Sequence, residues 1–421
     1  MSWTSYPALG ERLYDSTLSN GLRLCVVPKP GFAGKLAFLG VNFGSCAAQF
    51  QLDGVSYTVP DGTAHFLEHR MFCLPDCDPE SEFSRLGAES NAFTDYGMTG
   101  YYFSCTDHFD DCLRLLLRMA AAPYFPAEAM ADERAVIADE IALYDDSPGD
   151  CAQERLYRAL YRRHPIRIPI AGSRRSIRAV TPELLRLCYD AFYVPSNMAL
   201  VIMGDVDAAR AAALAEACIP PAGTMRTVRL RPEEPPRAFR HRTRRTFPVS
   251  QPVYAIGFKA DPEKNTLRQE LTGQLAAELL LGESSALYER LYTRGLIDAD
   301  FSADFSCAAG AASFQVCGAG RSPEAVLDEL LLAQKTGFSP AQFERLKRSV
   351  RGRLLRELDG FESTCYRICE TIFAGGAPLC DQALLDTVTL ADAQTLLCRT
   401  ITADRAALSV VLPDTDSACG S

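Results

Sequence analysis

The segment His65-Phe66-Leu67-Glu68-His69 gathers the side chains of this sequence best suited to chemistry. On a helix, offsets of three and four residues bring His65, Glu68 and His69 onto one face. Two imidazoles one turn apart can hold a single metal ion, and the carboxylate between them then lies beside the metal without being a ligand. Zn²⁺ held by neutral nitrogens with one position open lowers the pKa of its water from ~15.7 toward ~7, and Glu68 stands where it can take that proton. After attack on a peptide carbonyl, the same carboxyl can return the proton to the departing amine, serving first as base and then as acid. The order is the inverse of His-Glu-x-x-His, which is the inverted zinc motif H-x-x-E-H.

Catalytic zinc usually takes three protein ligands, so a further donor is expected elsewhere. In the segment from Glu128 to Ile141, Glu133, Val136, Ile137 and Glu140 fall at i, i+3, i+4 and i+7, which places two carboxylates on a stripe of core-type aliphatics. A carboxylate on such a stripe carries a desolvation cost that a cation or hydrogen bonds must offset. Asp132 and Asp139 point elsewhere and read as solvated charges. His108 and His164 have no partnering pattern and read as surface or packing residues. His241 lies in an arginine-rich run from Arg237 to Arg245 that reads as a solvated strand. The pairs Cys73/Cys77 and Cys365/Cys369 lack the Cys-x-x-Cys spacing of structural zinc and are set aside as ligands.

The elements that must position these residues follow from local patterns. Pro60-Asp61-Gly62-Thr63 reads as a helix entry capped by Asp or Thr. Helices are predicted at 64–72, 109–121, 126–144 and 151–162, and strands at Leu24–Val27, Leu36–Phe43 and Tyr101–Ser104. Without strict alternation of strand and helix, this is an α+β arrangement, a sheet covered on one side by helices. Thr181-Pro182-Glu183 starts a helix, and the strand Met198–Met203 then runs into Gly204-Asp205-Val206-Asp207. The second half closes alike, with a helix around Ala391–Cys398, the strand Ala406–Leu412, and Asp414 and Asp416. The match of Leu200 with Leu408 and of Asp207 with Asp416 suggests two homologous halves. A proline-rich stretch from Pro220 to Pro236 reads as the linker between them. The expected division is an N-terminal catalytic zinc-binding domain over 1–222, a linker over 223–236, and a homologous non-catalytic domain over 237–421.

Composition sets the outer bounds. The chain has 421 residues, 48% hydrophobic and 23% charged, which is the balance of a soluble globular protein with two or three domains. A net charge of −10 argues against nucleic acid as a partner. No apolar run approaches the ~18 residues needed to span a bilayer, and Met1–Pro7 lacks the features of a signal peptide. Sixteen scattered cysteines fit mostly buried thiols in a reducing compartment, so a cytoplasmic protein is expected.

His65-x-x-Glu68-His69 followed by Glu140 resembles the insulinase/pitrilysin family of zinc metallopeptidases, the inverzincins. The resemblance extends through Thr17-Leu-x-Asn20-Gly21-Leu-x-Leu24, Gly87-Ala-x-x-Asn91-Ala92-Phe-Thr94, Thr99-x-Tyr101, Tyr193-x-Pro195-x-Asn197-Met198 and Gly204-Asp205-Val206. It implies zinc, one ion per chain, with His65, His69 and Glu140 as ligands. It implies Glu68 as general base and Glu133 as the carboxylate that supports His orientation. Asn91, Ala92 and Phe93 match an edge strand that pairs with an extended substrate backbone. The implied fold is two αβ sandwich domains of the LuxS/mitochondrial processing peptidase-like metallohydrolase type, each a mostly antiparallel sheet covered by helices. The implied activity is that of a metalloendopeptidase on small or unfolded peptides held in a closed chamber, with a role in peptide maturation or processing. Full-length members carry four domains and this chain has two, so the resemblance also implies a homologous half-length partner, a degenerate sister chain or a second copy. The rival reading is a peptide-binding or scaffold subunit with structural zinc. In the second half, Tyr292 and Asp298 stand near the places where the family often carries an Arg and a Tyr that reach the substrate and the tetrahedral intermediate, so either Arg290, Arg294 or a partner supplies the oxyanion help or activity is restricted.

Overall fold

The computed structural model describes residues 3–221, 226–333 and 337–414, so Asp416 and the proposed linker residues 223–225 lie outside the described residues. The chain opens with β1 (Trp3–Tyr6), β2 (Glu11–Thr17), β3 (Arg23–Pro28), β4 (Lys35–Val41), β5 (Gln49–Leu52), β6 (Val55–Thr58), α1 (Thr63–Met71), α2 (Pro79–Arg85), β7 (Glu89–Thr94), β8 (Thr99–Cys105) and α3 (Phe109–Ala121). It continues through α4 (Met130–Asp145), α5 (Pro148–Leu160), α6 (Arg174–Ile177), α7 (Pro182–Phe192), β9 (Met198–Gly204), α8 (Ala208–Cys218) and β10 (Thr227–Arg229). The remainder is β11 (Arg242–Phe247), β12 (Val253–Ala260), α9 (Thr266–Leu281), α10 (Ala286–Thr293), β13 (Ser302–Ala308), β14 (Ala311–Ala319), α11 (Pro323–Ala333), α12 (Pro340–Glu357), α13 (Phe361–Phe373), α14 (Asp381–Thr387), α15 (Leu390–Thr400) and β15 (Ala406–Pro413).

The fold is α+β, with sheets covered by helices. A seven-stranded sheet has the order β1-β2-β3-β9-β4-β8-β7, and a five-stranded sheet the order β11-β15-β12-β14-β13. A small sheet, β10-β5-β6, accompanies the first. The central strand β9 is buried along its whole length, as an unbroken apolar run requires when both faces are covered. β3 runs parallel to β9 and β4 antiparallel to it; β11 and β12 repeat those relations around β15. Leu39 stands opposite Leu200 just as Ile256 stands opposite Leu408, so the strand endings that repeat in sequence occupy equivalent places. At the start of α7, Thr181 accepts the Leu184 N–H and Pro182 takes the first helical position.

By their contacts the residues form two compact units. One comprises Met1–Asp139, Pro169–Leu230 and Leu355–Leu379; the other comprises Glu140–Ile168, Arg231–Leu354 and Cys380–Ser421. The units cross the linear division near 222–236, because each sheet receives one helix from the other half of the chain. In the first unit α13 packs on β4 and β9; in the second α5 packs on β12 and β15. Both seats are made by glycine. A Cβ on Gly40 would meet Cys369 Sγ of α13 at 2.9 Å, and one on Gly257 would meet Leu160 of α5 at 2.8 Å. The first core therefore includes Cys365, Ile368 and Cys369 beside Val27, Phe38 and Val201, while the second centres on Ile256, Phe258, Leu275, Phe305, Phe314 and Leu408. Cys365 and Cys369 are packing residues, and burial pushes both thiols above their ordinary range. The fifteen described cysteines form no disulfides among the described residues. No helix among the described residues is long and apolar enough to cross a membrane.

Candidate metal centre

Helix α1 is entered through Gly62 in the left-handed region (φ 87°), without a side-chain cap. The cap position falls on Gly62 itself, and only glycine fits there: a Cβ at Gly62 would stand 2.5 Å from the Ala171 carbonyl oxygen. Thr63 instead donates its hydroxyl to the Pro60 carbonyl at 2.6 Å. Thus anchored, α1 buries His65 and Glu68 (7% and 8% exposed) and leaves His69 half-buried. The two imidazole rings meet edge to face at 4.6 Å.

Helix α4 brings the second set of groups. Its buried side runs through Ile137 and Ile141, with Glu133 and Glu140 partly buried alongside. Val136 departs from expectation: it is 55% exposed. At 100° per residue it lies about 60° from Glu133 on the side away from Ile137, beyond the edge of the buried arc. Asp132 and Asp139 are exposed, as expected.

His65, His69 and Glu140 converge: one potential ligand atom from each lies within 4.8 Å of the others, the only such group found among the described residues. Two imidazoles and a carboxylate are a donor set of catalytic zinc, one that leaves a position for water. The orientation of His69 suits it. His69 Nδ1 is 2.9 Å from Glu133 Oε1, which leaves Nε2 for a metal. Glu133 Oε2 accepts from Arg70 Nη1 at 2.9 Å, and Arg70 is itself only 4% exposed. Burial works to raise the Glu133 pKa, but the bonds to His69 and Arg70 prevail and hold it below the ordinary carboxylate value. Glu68 accepts the Thr94 hydroxyl at 2.7 Å, and the Thr99 hydroxyl beside it donates to the Phe43 carbonyl at 2.8 Å. Glu140 accepts from the Tyr144 hydroxyl at 3.1 Å. Tyr101 and Tyr193 share a hydrogen bond of 2.7 Å; burial, with the charge of Glu68 adding to it, pushes both phenols well up.

Arg70, Thr94, Tyr101, Tyr144 and Tyr193 were not among the expected site residues. Arg70 adjoins the motif but no local pattern says that it turns inward, and Thr94 reaches Glu68 only through the placing of β7. Asn91, Ala92 and Phe93 lie on β7, which pairs with β8 and is the edge strand of its sheet. Asn91 Oδ1 accepts the Ala92 N–H at 2.8 Å, while Phe93 packs against Phe38 and Tyr366. In the second unit Tyr292 is exposed and stacks on Tyr288, and Arg290 and Arg294 both pair with Glu329 of α11. His108 is an exposed left-handed residue before α3, and His164 is buried, its Nδ1 accepting the Ile166 N–H. Cys73 and Cys77 are partly exposed and lie outside the metal-type cluster.

The family model described as Insulinase (Peptidase family M16) matches residues 39–174, and the Peptidase M16 inactive domain matches 179–350. An uncharacterized zinc protease of Bacillus subtilis, YmfH, is 33% identical over 97% of this chain and 98% of its own. A crystal structure described as an M16-like peptidase from Alicyclobacillus acidocaldarius superposes with a TM-score of 0.91 at 33% identity, covering 98% of this chain and 100% of that one. Pitrilysin shares the fold at a TM-score of 0.75 and 16% identity; the match spans 96% of this chain and 45% of pitrilysin. By these matches, which run almost end to end, the chain belongs to the insulinase family of zinc proteases, peptidase family M16.

Proposed function

We propose that this chain is a zinc metalloendopeptidase that hydrolyses bonds in small or unfolded peptides, with one zinc ion per chain held by His65, His69 and Glu140. The observation that carries the reading is the grip of Thr94 on Glu68 beside that donor set, since a purely structural site has no use for a carboxylate fixed next to the metal. Zinc bound there supplies a Lewis acid and a water whose pKa falls from ~15.7 toward ~7. Glu68 removes the proton from the attacking water and returns it to the leaving amine. Thr94 holds Oε2 of Glu68, which keeps the carboxylate directed while its other oxygen handles the proton. Glu133 fixes the His69 ring through Nδ1, and Arg70 keeps Glu133 ionised. The edge strand around Asn91, Ala92 and Phe93 pairs with extended substrate backbone, which fits many sequences because main-chain bonds supply the affinity.

In this reading 1–222 is the catalytic domain and 237–421 its non-catalytic homologue. A second half-length chain, either a degenerate sister or another copy, completes the working chamber. The 45% share of pitrilysin matched by this chain supports that partner, as does the pairing of Arg290 and Arg294 with Glu329. Cysteines without disulfides among the described residues support a reducing, cytoplasmic setting. A second reading, a non-cleaving peptide-binding subunit with structural zinc, is favoured by the match of 179–350 to a domain described as inactive.

A peptide library incubated with the chain, alone and with its companion, separates the two. Chelator-sensitive cuts restored by added zinc support the peptidase. Zinc retained at one ion per chain without cuts in either arrangement supports the binding subunit. Light scattering that finds a fully active monomer removes the partner from the account.

A further inference from the structure

The two repeats differ at one sheet edge. In the first sheet β3 is flanked by β9 and, on its other side, by the ribbon β2-β1. Its counterpart β11 pairs with β15 and, among the described residues, has no strand on its other side. The Leu408 N–H bonds to the His241 carbonyl and the Asp414 N–H to that of Phe247. Alternate peptide groups therefore face β15, which turns those of Arg242, Arg244 and Thr246 toward the open edge.

That edge is cationic in a protein of net charge −10. Arg237, Arg240, Arg242, Arg244 and Arg245 fall within nine positions. Arg242 and Arg244 share a single acid, Glu324, at 4.0 and 3.3 Å, and both side chains remain 58% exposed. Arg155 Nη2 donates to the outward Arg244 carbonyl at 2.8 Å, adding another guanidinium to the edge. Charges on an edge strand deter pairing with strands of like character, but they select for a strand of opposite charge, because directly facing cross-strand pairs of opposite sign are favourable.

We propose that β11 is a docking strand for an extended acidic segment of another protein, which adds to the five-stranded sheet and sets carboxylates at alternate positions against Arg242 and Arg244. Residues two apart on a strand are separated by about 6.6 Å on one face, so an acid-x-acid spacing meets both guanidinium groups at once. A peptide also brings N–H and C=O groups for the outward backbone of Arg242 and Thr246. A phosphodiester chain has no N–H to give those carbonyls, which favours protein over nucleic acid.

The test uses the full chain carrying Glu68→Gln, so that the probe stays intact, and a labelled heptapeptide alternating Thr and Glu, with a Thr/Lys peptide as control. The Thr/Glu peptide is expected to bind by anisotropy and to slow amide exchange at Arg242–Thr246. Reversing both arginines, Arg242→Glu with Arg244→Glu, is expected to weaken it at least tenfold and to admit the Thr/Lys peptide. Thr246→Pro removes an outward N–H without touching the β15 ladder and is expected to weaken binding at least threefold. Absence of binding, binding indifferent to the arginine reversal, or an unaltered affinity in Thr246→Pro overturns the proposal. So does displacement of the peptide by polyphosphate at equal charge concentration, or self-association of the chain that the arginine reversal abolishes.

Discussion

Helix α1 with strand β7, and helix α9 with strand β13, occupy the same place in two copies of one scaffold and do opposite things there. The registers define the correspondence: Leu39 faces Tyr101, which faces Ala92, while Ile256 faces Val316, which faces Ala303. Two residues further along, Thr94 of the first copy corresponds to Phe305 of the second. Thr94 gives its hydroxyl to Glu68 of α1. Phe305 is 1% exposed, and its ring fills the space where Gly273 of α9 would carry a side chain, 2.1 Å from a Cβ built there. One copy keeps a buried carboxylate, which burial alone disfavours; the other closes the same gap with an aromatic ring. The fold is thus satisfied without the site, and the polar pair in the first copy reads as retained for chemistry rather than for packing.

Changes to either member sharpen or break this contrast. The largest expected effect lies in the second copy. Phe305→Ala should destabilise the protein by about 3–5 kcal/mol in urea unfolding, with the zinc content of the folded protein unaltered. A loss of zinc on this substitution would tie the two copies together in a way the comparison does not allow.

The histidines divide along the same line, His65 and His69 in the candidate centre and His164 in packing. Burial lowers the His164 pKa to about 4 from the usual 6.5. Between those values the unfolded chain binds the proton and the folded one does not, so stability falls as pH drops through 6.5 toward 4 and is level above. The contribution is about 2 kcal/mol between pH 7 and pH 5. Urea midpoints of His164→Gln should show a correspondingly shallower slope over that interval, and an unchanged slope would contradict the assignment.

Smaller effects belong to the residues that orient the centre. Glu133→Gln weakens the hold on the His69 ring and should reduce zinc affinity by about 10- to 100-fold in competition with a chelator. Thr94→Val should slow cleavage by about tenfold through a lower kcat, equivalent to about 1.4 kcal/mol, with zinc affinity unchanged. If it lowered zinc affinity instead, Thr94 would be a support of the metal site rather than of Glu68.

Much of this was legible in the sequence because it is local. The spacing of His65, Glu68 and His69 depends only on helical periodicity, as do the start of α7 at Thr181-Pro182 and the burial of Ile137. Periodicity could not separate Glu133 from Glu140, since both lie on one stripe, and it placed Val136 with them although that side chain falls just outside the buried arc. That the cap position of α1 falls on Gly62 depends on a close approach to Ala171, distant in sequence. The exchange of α5 and α13 between sheets, seated on Gly40 and Gly257, and the bond from Thr94 to Glu68 arise from tertiary register, which no short window contains.

The central claim is that Glu68 performs proton transfer beside a metal it does not hold. It is tested most directly by measuring zinc content and peptide cleavage on the same preparation of Glu68→Gln. The account predicts zinc bound as in the unaltered protein and cleavage reduced by a factor on the order of 10³. Cleavage retained at its original rate, or zinc lost together with activity, would contradict it.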